Sequence, residues 1–500
     1  MSLEIQNPQF AEHAEDWITM RDLYRGERVV KQRGETYLPA TAGMRMDGMD
    51  KGKEGRAAYD AYKMRAVFHD YVKTGVEMLI GLLHQKPPSI ELPKVMEPLR
   101  ERATINGESL EMLLRRINEE QLIPGRLGLL ADLPANPDPS NPLPYIALYV
   151  AESVHNWDDG SFTDGFSSLN LVVLNETGYR RDDQFKWEEQ LKYRVLQLGN
   201  LGENEEEGTA TYIQGTFFTK DYTDAVMFAP KLRGQTLEQI PFVFINAKDI
   251  VSSPDEPPLM GLGRLVLAIY RGEADYRQNL YMQGQDTLIT IGGLLKQTGS
   301  LDAATDGEPE PLRTGAGSRI DIEMGGDAKY IGVSSQGLAE QRASLENDKK
   351  AAEGKAGQLI SGRGNNTESG EALRTRMAAQ TATLNQIALA GAAGLEQVLK
   401  IIATWMGANP EEVVVTPNVE FADFELSGQE IVYLMTARSM GAPIANESIH
   451  NLMVERGITK LDYEAEMDLI AEENAGAVPL GTNAGGDPVV PPLNDNGEEE

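Results

Sequence analysis

Cysteine is absent from all 500 residues. That excludes disulfides and thiolate metal sites, and it fits synthesis in a reducing compartment. Histidine is scarce as well. The five present, His13, His69, His84, His155 and His450, form no i,i+4 pair and no His-Glu-x-x-His, so no metal and no metal cofactor is expected. No run reaches the ~18 apolar residues of a membrane span. Met1-Ser2-Leu3-Glu4-Ile5 offers neither the basic nor the apolar stretch of an export signal. A soluble protein without a membrane partner is the expectation.

Positive charge is the largest deficit. Lys and Arg number 46 against 77 Asp and Glu, a net charge of −31. Proteins that grip DNA neutralise its phosphates with a basic excess, and this chain has the opposite balance. The plain reading of such acidity is solubility. The sharper reading is that DNA passes close by and must not adhere. Composition does not choose between them.

Motifs that carry chemistry are few. Gly362-Arg363-Gly364 lacks the lysine of a phosphate-cradling loop and follows no strand pattern. Gly261-Leu262-Gly263 lacks the third glycine of a dinucleotide fingerprint and leads into an apolar helix, so packing is its expected role. The stretch from Asp158-Asp159-Gly160 to Asp164-Gly165 offers oxygen ligands like a calcium loop. Leu169 stands where such a loop needs glutamate, and a turn is expected instead. There is no Gly-x-Ser-x-Gly elbow, and acidic pairs are too numerous for one to be singled out as a glycosidase pair. No catalytic residue is assigned.

What is present is a long, ordered series of elements, enough for about two to four domains. Apolar spacing predicts helices over Phe10–Arg25, Glu54–His84 and Ser109–Gln121. β-branched and aromatic runs predict strands at Leu127–Asp132, Asn170–Leu174, Gln190–Leu198, Thr209–Phe218 and Pro241–Ile245. Residues 1 to 255 thus read as an α+β domain. A helix then starts at Pro257-Pro258 and ends near Gly284 or Thr287. Short strands at Ile289–Leu295, Ile320–Ile322 and Tyr330–Val333 surround a polar loop. Leu338 to Ile360 is helical, with Leu345 almost its only large apolar residue. So polar a helix must lean on neighbours or face water.

The stretch Ser361–Met406 stands out. Its first ten residues, Ser361–Gly370, hold no apolar anchor. Apolar residues then recur at Leu373, Met377, Leu384, Ile387, Leu395, Val398, Leu399, Ile402 and Trp405, one face of a helix about 50–55 Å long. Ser369 or Thr367 can cap it, and Gly407, Asn409 and Pro410 stop it. A strand at Val413–Thr416 and helices at Gln429–Ser439, Ile444–Arg456 and Asp462–Glu473 follow. Residues 474–500 are too poor in apolar side chains to order themselves. The basic residues nearest the loop are Lys349, Lys350, Lys355, Arg374 and Arg376. Their plain role is ion pairing with Glu346, Glu353, Glu368 and Glu371; their functional role would be light phosphate contact.

This order of parts resembles a tailed-bacteriophage portal protein, within an uncharacterised portal-like group. The segments that carry the resemblance include Tyr59-x-x-Tyr62-x-x-x-Ala66-x-Phe68 and Gly81-Leu82-Leu83-His84-Gln85-Lys86-Pro87-Pro88. Next come Gly125-Arg126-Leu127-Gly128-Leu129, Val154-His155-Asn156-Trp157 and Ile240-Pro241-Phe242-Val243-Phe244-Ile245. The last are Tyr270-Arg271-x-x-Ala274-Asp275-Tyr276 and Ser369-Gly370-Glu371-Ala372-Leu373-Arg374-x-Arg376.

The resemblance implies a wing over 1–256, a first stem helix over 257–287, a clip over 288–334 and a second stem helix over 335–360. A DNA-facing tunnel loop would span 361–370, with Arg363, Asn365, Asn366 and Thr367 as the contacting residues and Lys349, Lys350 and Lys355 as channel cations. A long wing helix over 371–407, a helical crown over 408–473 and an acidic tail over 474–500 complete it. The implied protein is a non-catalytic dodecameric ring at one capsid vertex of the virion, assembled in the host cytoplasm. Its partners would be double-stranded DNA, terminase, a head-tail adaptor, the major capsid protein and a scaffold. The residues leave two other classes open: an acidic multidomain hydrolase, or another capsid-associated structural protein.

Overall fold

The computed structural model describes residues 2–134, 143–160, 168–199, 210–222, 226–283, 287–291, 325–331, 337–358, 370–419, 428–455 and 459–476. The chain divides into two compact units, Met1–Val419 and Glu420–Glu500. The helices of the first unit are α1 (Pro8–Arg25), α2 (Glu27–Arg33), α3 (Ala42–Met46), α4 (Glu54–Arg65), α5 (Tyr71–Leu83), α6 (Pro98–Glu101), α7 (Leu110–Leu122), α8 (Met260–Gln283), α9 (Leu338–Gln358) and α10 (Gly370–Met406). Its strands are β1 (Ser89–Glu91), β2 (Arg126–Asp132), β3 (Tyr145–Val150), β4 (Val154–Asp158), β5 (Leu171–Asn175), β6 (Gly178–Arg181) and β7 (Trp187–Gln190). Then come β8 (Tyr193–Gly199), β9 (Thr211–Phe217), β10 (Phe242–Asn246), β11 (Thr287–Ile291), β12 (Asp327–Ile331) and β13 (Val414–Thr416). The second unit holds α11 (Gly428–Ser439), α12 (Asn446–Glu455) and α13 (Tyr463–Gly476), with the His450 and Tyr463 rings edge-to-face between the last two. The class is α+β, as the sequence indicates.

Local chemistry sets the helix ends. Asn7 accepts from the Gln9 N–H at 2.9 Å with Pro8 in the first turn, and Ser109 caps α7 through the Met112 N–H. Two predictions need correction. Glu54–His84 is two helices, because the chain turns extended at Ala66. The break sets Phe68 edge-on to Tyr270 of α8, 5.9 Å between centroids, and brings His69 to Glu273. Tertiary contacts override the continuous periodicity. The predicted strand Gln190–Leu198 is likewise two strands, β7 and β8.

The core lies around the antiparallel sheet β10-β2-β3, where every residue of β2 and β10 is buried. Sequence analysis did not identify β3, nor β4, which opens the second sheet, β4-β5-β8-β9. Helices α7 and α10 pack on the first sheet. Leu395, Val398, Leu399 and Ile402 of α10 are fully buried, each contributing about 1.5–3 kcal/mol against exposure. Two glycines let α10 settle closely. A Cβ at Gly394 would stand 2.3 Å from Ile245 of β10, and one at Gly391 would stand 2.6 Å from the side-chain Oε1 of Gln121 on α7. Ala382–Met406 is long and apolar enough to cross a membrane, but 67% of its most apolar stretch is buried inside the fold, so it is a core helix.

Helices α8 and α9 pack antiparallel, since Gly261 meets Lys355, Gly272 meets Leu345 and Asn279 meets Gln341. Between them in sequence, β11 and β12 pair antiparallel from Thr287↔Ile331 to Ile291↔Asp327. The predicted strand Ile320–Ile322 lies outside the described residues, as do residues 477–500. The polar α9 does lean on neighbours. Leu345, Ala352 and Ala356 are buried, the first against α8 and the last against Gly75 of α5.

Candidate nucleic-acid interface

Residues Arg363, Asn365, Asn366 and Thr367 belong to 359–369, outside the described residues, and the side chains of Arg374 and Arg376 are outside them too. What the structure describes is the frame: α9 ends at Gln358 and α10 begins at Gly370. The three lysines of α9 have different surroundings. Lys349 turns inward, its ammonium 2.5 Å from the Glu273 carboxylate of α8. Lys350 is exposed and makes no ion pair with a described residue. Lys355 is exposed, with its ammonium 3.5 Å from the Gly261 carbonyl.

Glu273 is the node that sequence reasoning missed. Its side chain is 3% exposed and accepts from Lys349, from Arg277 at 2.8 Å and from His69 at 3.4 Å. Burial pushes its carboxyl up, but hydrogen bonds from Lys349, Arg277 and His69 outweigh that and hold it below the ordinary carboxylate value. The usable signal was an ionic i,i+4 pair, Glu273 and Arg277, on a helix whose neighbouring positions are apolar. Neighbouring α8 residues also bind inward. Asp275 accepts from the Tyr62 hydroxyl at 2.6 Å, and Arg271 donates to the Tyr37 carbonyl at 2.9 Å.

Segments that carry the portal resemblance therefore meet as structural junctions. The Tyr59 and Tyr270 segments meet at α4 and α8. Three others meet at Arg126, which is 1% exposed and lies between the rings of Trp157 (4.4 Å) and Phe244 (4.2 Å). Burial pushes the Arg126 guanidinium down to about 9, and its terminal nitrogens have no hydrogen-bond partner among the described residues. The two aromatic faces stack on the cation, and the Asp249 carboxylate favours its charge through space.

Other clusters offer structure rather than chemistry. Arg194 joins Asp132 and Glu176, tying the two sheets together with Tyr145 and Tyr149 bonded to the same carboxylates. At the former calcium-like stretch, the Gly160 N–H donates to the Asp158 carboxylate at 3.0 Å, an Asx turn; residues 161–167 lie outside the described set. Among the described residues no group of three His, Asp or Glu side chains is placed to hold a metal.

Comparison with known proteins gives limited matches. Residues 258–406 match a family described as a domain of unknown function (DUF4055). That is under a third of the chain, from the start of the α8 segment to the end of α10. Among curated proteins the chain has no match. Two similar solved chains come from structures described as the neck of a native GTA particle with C12 symmetry and the neck of an empty GTA particle with C6 symmetry. The first has 14% identity and a TM-score of 0.36, over 77% of this chain and 89% of that one. The second has 14% identity and a TM-score of 0.35, over 78% and 90%. Superpositions this loose do not define a shared fold.

Proposed function

We propose that this chain is the subunit of a tailed-phage portal, a non-catalytic dodecameric ring at one capsid vertex. The ring conducts double-stranded DNA during packaging and ejection and docks terminase and the head-tail connector. The observation that supports this reading most is the unit α8, β11-β12, α9 and α10. An antiparallel helix pair has the paired strands β11 and β12 between its two members in sequence, and eleven residues after the second member a 37-residue helix begins. This order is compatible with the stem, clip, stem, tunnel loop and wing helix that the resemblance implies.

Charge supports the same reading. Twelve copies carry about −370 formal charges, so a duplex in the channel is repelled rather than held by counterion release. Sequence-independent passage requires weak contact of that kind. With Lys349 engaged by Glu273, the light contacts fall to the loop residues Arg363, Asn365, Asn366 and Thr367 and to Lys350 and Lys355.

Native mass spectrometry and negative-stain microscopy of the purified chain test the ring directly, and a chain that stays monomeric across assembly conditions overturns it. Deleting Gly362–Asn366 tests the loop. Rings are expected to form normally while DNA packaging or retention drops; unchanged packaging removes the loop from the mechanism.

A further inference from the structure

The N-terminal residues form a strap over the second sheet. The Leu3 N–H donates to the Lys220 carbonyl at 2.7 Å, and Glu4 pairs with the Lys220 ammonium at 2.7 Å. Leu3 is buried among Val173, Tyr193, Val195 and Phe217. At the other end, the Asn156 side-chain amide donates to the Ile5 carbonyl at 3.2 Å and the Asn7 N–H to the His155 carbonyl at 2.9 Å. Residues 2–7 thus run from just beyond β9, across β8 and β5, to β4. Of these six residues only Leu3 is buried. A segment tied down by so little apolar contact opens at a lower free energy than the core beneath it.

His155 holds the β4 end, and its hydrogen bonding runs in one direction. The pairing of β4 with β5 shifts register between Val154 and Asn156, so His155 sits at a bulge that aims its ring at Asn175. Its Nε2 lies 3.3 Å from the Asn175 side-chain nitrogen. Asn175 cannot offer its oxygen there instead, because the Thr177 N–H already binds that oxygen at 2.9 Å. Nε2 is therefore the acceptor and carries no proton. The ring lies between Phe10 of α1 (5.2 Å) and Tyr193 of β8 (6.2 Å). Burial holds His155 below the ordinary histidine value of 6.5, opposed by the Glu4 carboxylate. The other titratable groups around it are Lys220, bound to Glu4, and Tyr193, whose phenol burial pushes up; α1 and β5 face it with Phe10 and Asn175. His84 has the opposite polarity. Its Nε2 bonds the Asn118 oxygen at 2.9 Å, and the amides of Asn118 and Gln121 pass that direction on to the Asn246 carbonyl. There Nε2 is the donor, and a second proton on Nδ1 leaves the bond intact.

We propose that His155 is an acid-sensitive latch for this strap. A proton on Nε2 sets two donors against each other at Asn175, turns the ring out from between Phe10 and Tyr193, and frees residues 2–7 from the sheet. Rotating the Asn175 amide gives no escape, since it would strand the Thr177 N–H. The closed strap requires the neutral ring. Its closure is therefore complete above 6.5 and weakens as pH falls below that value, toward the lower folded one. Release uncovers the face formed by Val173, Tyr193, Val195 and Phe217, beside Tyr222, which stacks on Phe217 at 4.9 Å. The latch goes beyond the portal reading and does not depend on ring formation.

Hydrogen exchange of the full chain, read by mass spectrometry with exchange times scaled for the intrinsic effect of pH, tests the latch. Between about pH 7.5 and about pH 5.5 the opening equilibrium of residues 2–7 should rise by up to about tenfold, while β2 and β10 stay protected. His155→Gln keeps an acceptor for Asn175 and takes no proton, so its strap should exchange alike at both pH values. Asn175→Asp offers a carboxylate to the protonated ring and should abolish the acid opening. Because native cysteine is absent, Ser2→Cys carries a single fluorophore. Its anisotropy should fall with pH on the wild-type background and stay level with His155→Gln. Strap protection that does not change with pH, or that falls as steeply in His155→Gln, overturns the latch. So does an Asn175→Asp strap that opens in acid like wild type. Equal loss of protection in β2 and β10 would mark general acid unfolding and overturn it as well.

Discussion

Glu273 of α8 and Lys349 of α9 stand 2.5 Å apart, the carboxylate 3% exposed and the lysine side chain 27%. The pair locks together the two helices that flank β11 and β12 in sequence. Removing the buried partner should cost more than removing the half-buried one, because Glu273 retains Arg277 and His69 when Lys349 is lost. Glu273→Ala is expected to destabilise the first unit by about 2–4 kcal/mol, and Lys349→Ala by about 1 kcal/mol. Urea denaturation followed by tryptophan fluorescence measures both. Equal losses would show that the carboxylate is not the node.

The same carboxylate sets a pH response. Its folded value is depressed, so its contribution is fully present above the ordinary carboxylate value of 4.5 and is lost as pH falls through the lower folded value. Other carboxylates, Glu176 and Glu396 among them, are depressed too, so the informative quantity is the difference from a variant. Glu273→Gln should narrow its stability gap to wild type as pH drops below 4.5. A gap that is constant from neutral to acid pH would remove Glu273 from the response.

Gly394 provides a packing test. Alanine ordinarily favours a helix interior over glycine by about 1 kcal/mol. Here the added methyl meets Ile245 at 2.3 Å, inside contact distance. Overpacking should dominate, leaving Gly394→Ala destabilised by about 1–2 kcal/mol net. Ile245→Ala cannot restore the lost apolar area, but combined with Gly394→Ala it should be less harmful than the two single losses added together. Strict additivity in thermal or urea midpoints would refute the clash.

Arg126 poses a different question, a buried cation held by two rings. Arg126→Met keeps the volume and removes the charge, and should lie within about 1 kcal/mol of wild type. Arg126→Ala leaves a cavity between Trp157 and Phe244 and should cost about 2–4 kcal/mol. If methionine proves as damaging as alanine, the guanidinium contributes through its charge and the stacking account gains weight over packing alone.

Helices were read from the sequence where a stop signal and a periodic face coincide, as with Gly407 after α10, whereas the Asn7-Pro8 start of α1 was not read. The single helix drawn through Ala66 failed because nothing local marks that break. It is set by Tyr270 and Glu273, more than 200 residues away in the chain. β3 and β4 were missed because Tyr145–Val150 and Val154–Asp158 show only mixed burial, without clear alternation. For the site, the sequence located the α9 lysines but not their partners. Lys349 has glutamates three and four positions away, yet it binds one on another helix.

Finally, α10 is the last layer of a core begun long before it. Its buried face covers β2 and β10 and touches α7, while β13 pairs back to β1 across more than 300 residues. During synthesis at about 5–20 residues per second, the apolar strand Leu127–Ala131 must wait some tens of seconds for Leu395–Trp405 to emerge. Closure by such distant partners also makes for slow folding. The nascent chain thus presents an unpaired hydrophobic sheet face throughout that interval, which makes this protein a natural client for chaperones that shield exposed strands, and its yield should depend on them more than on final stability.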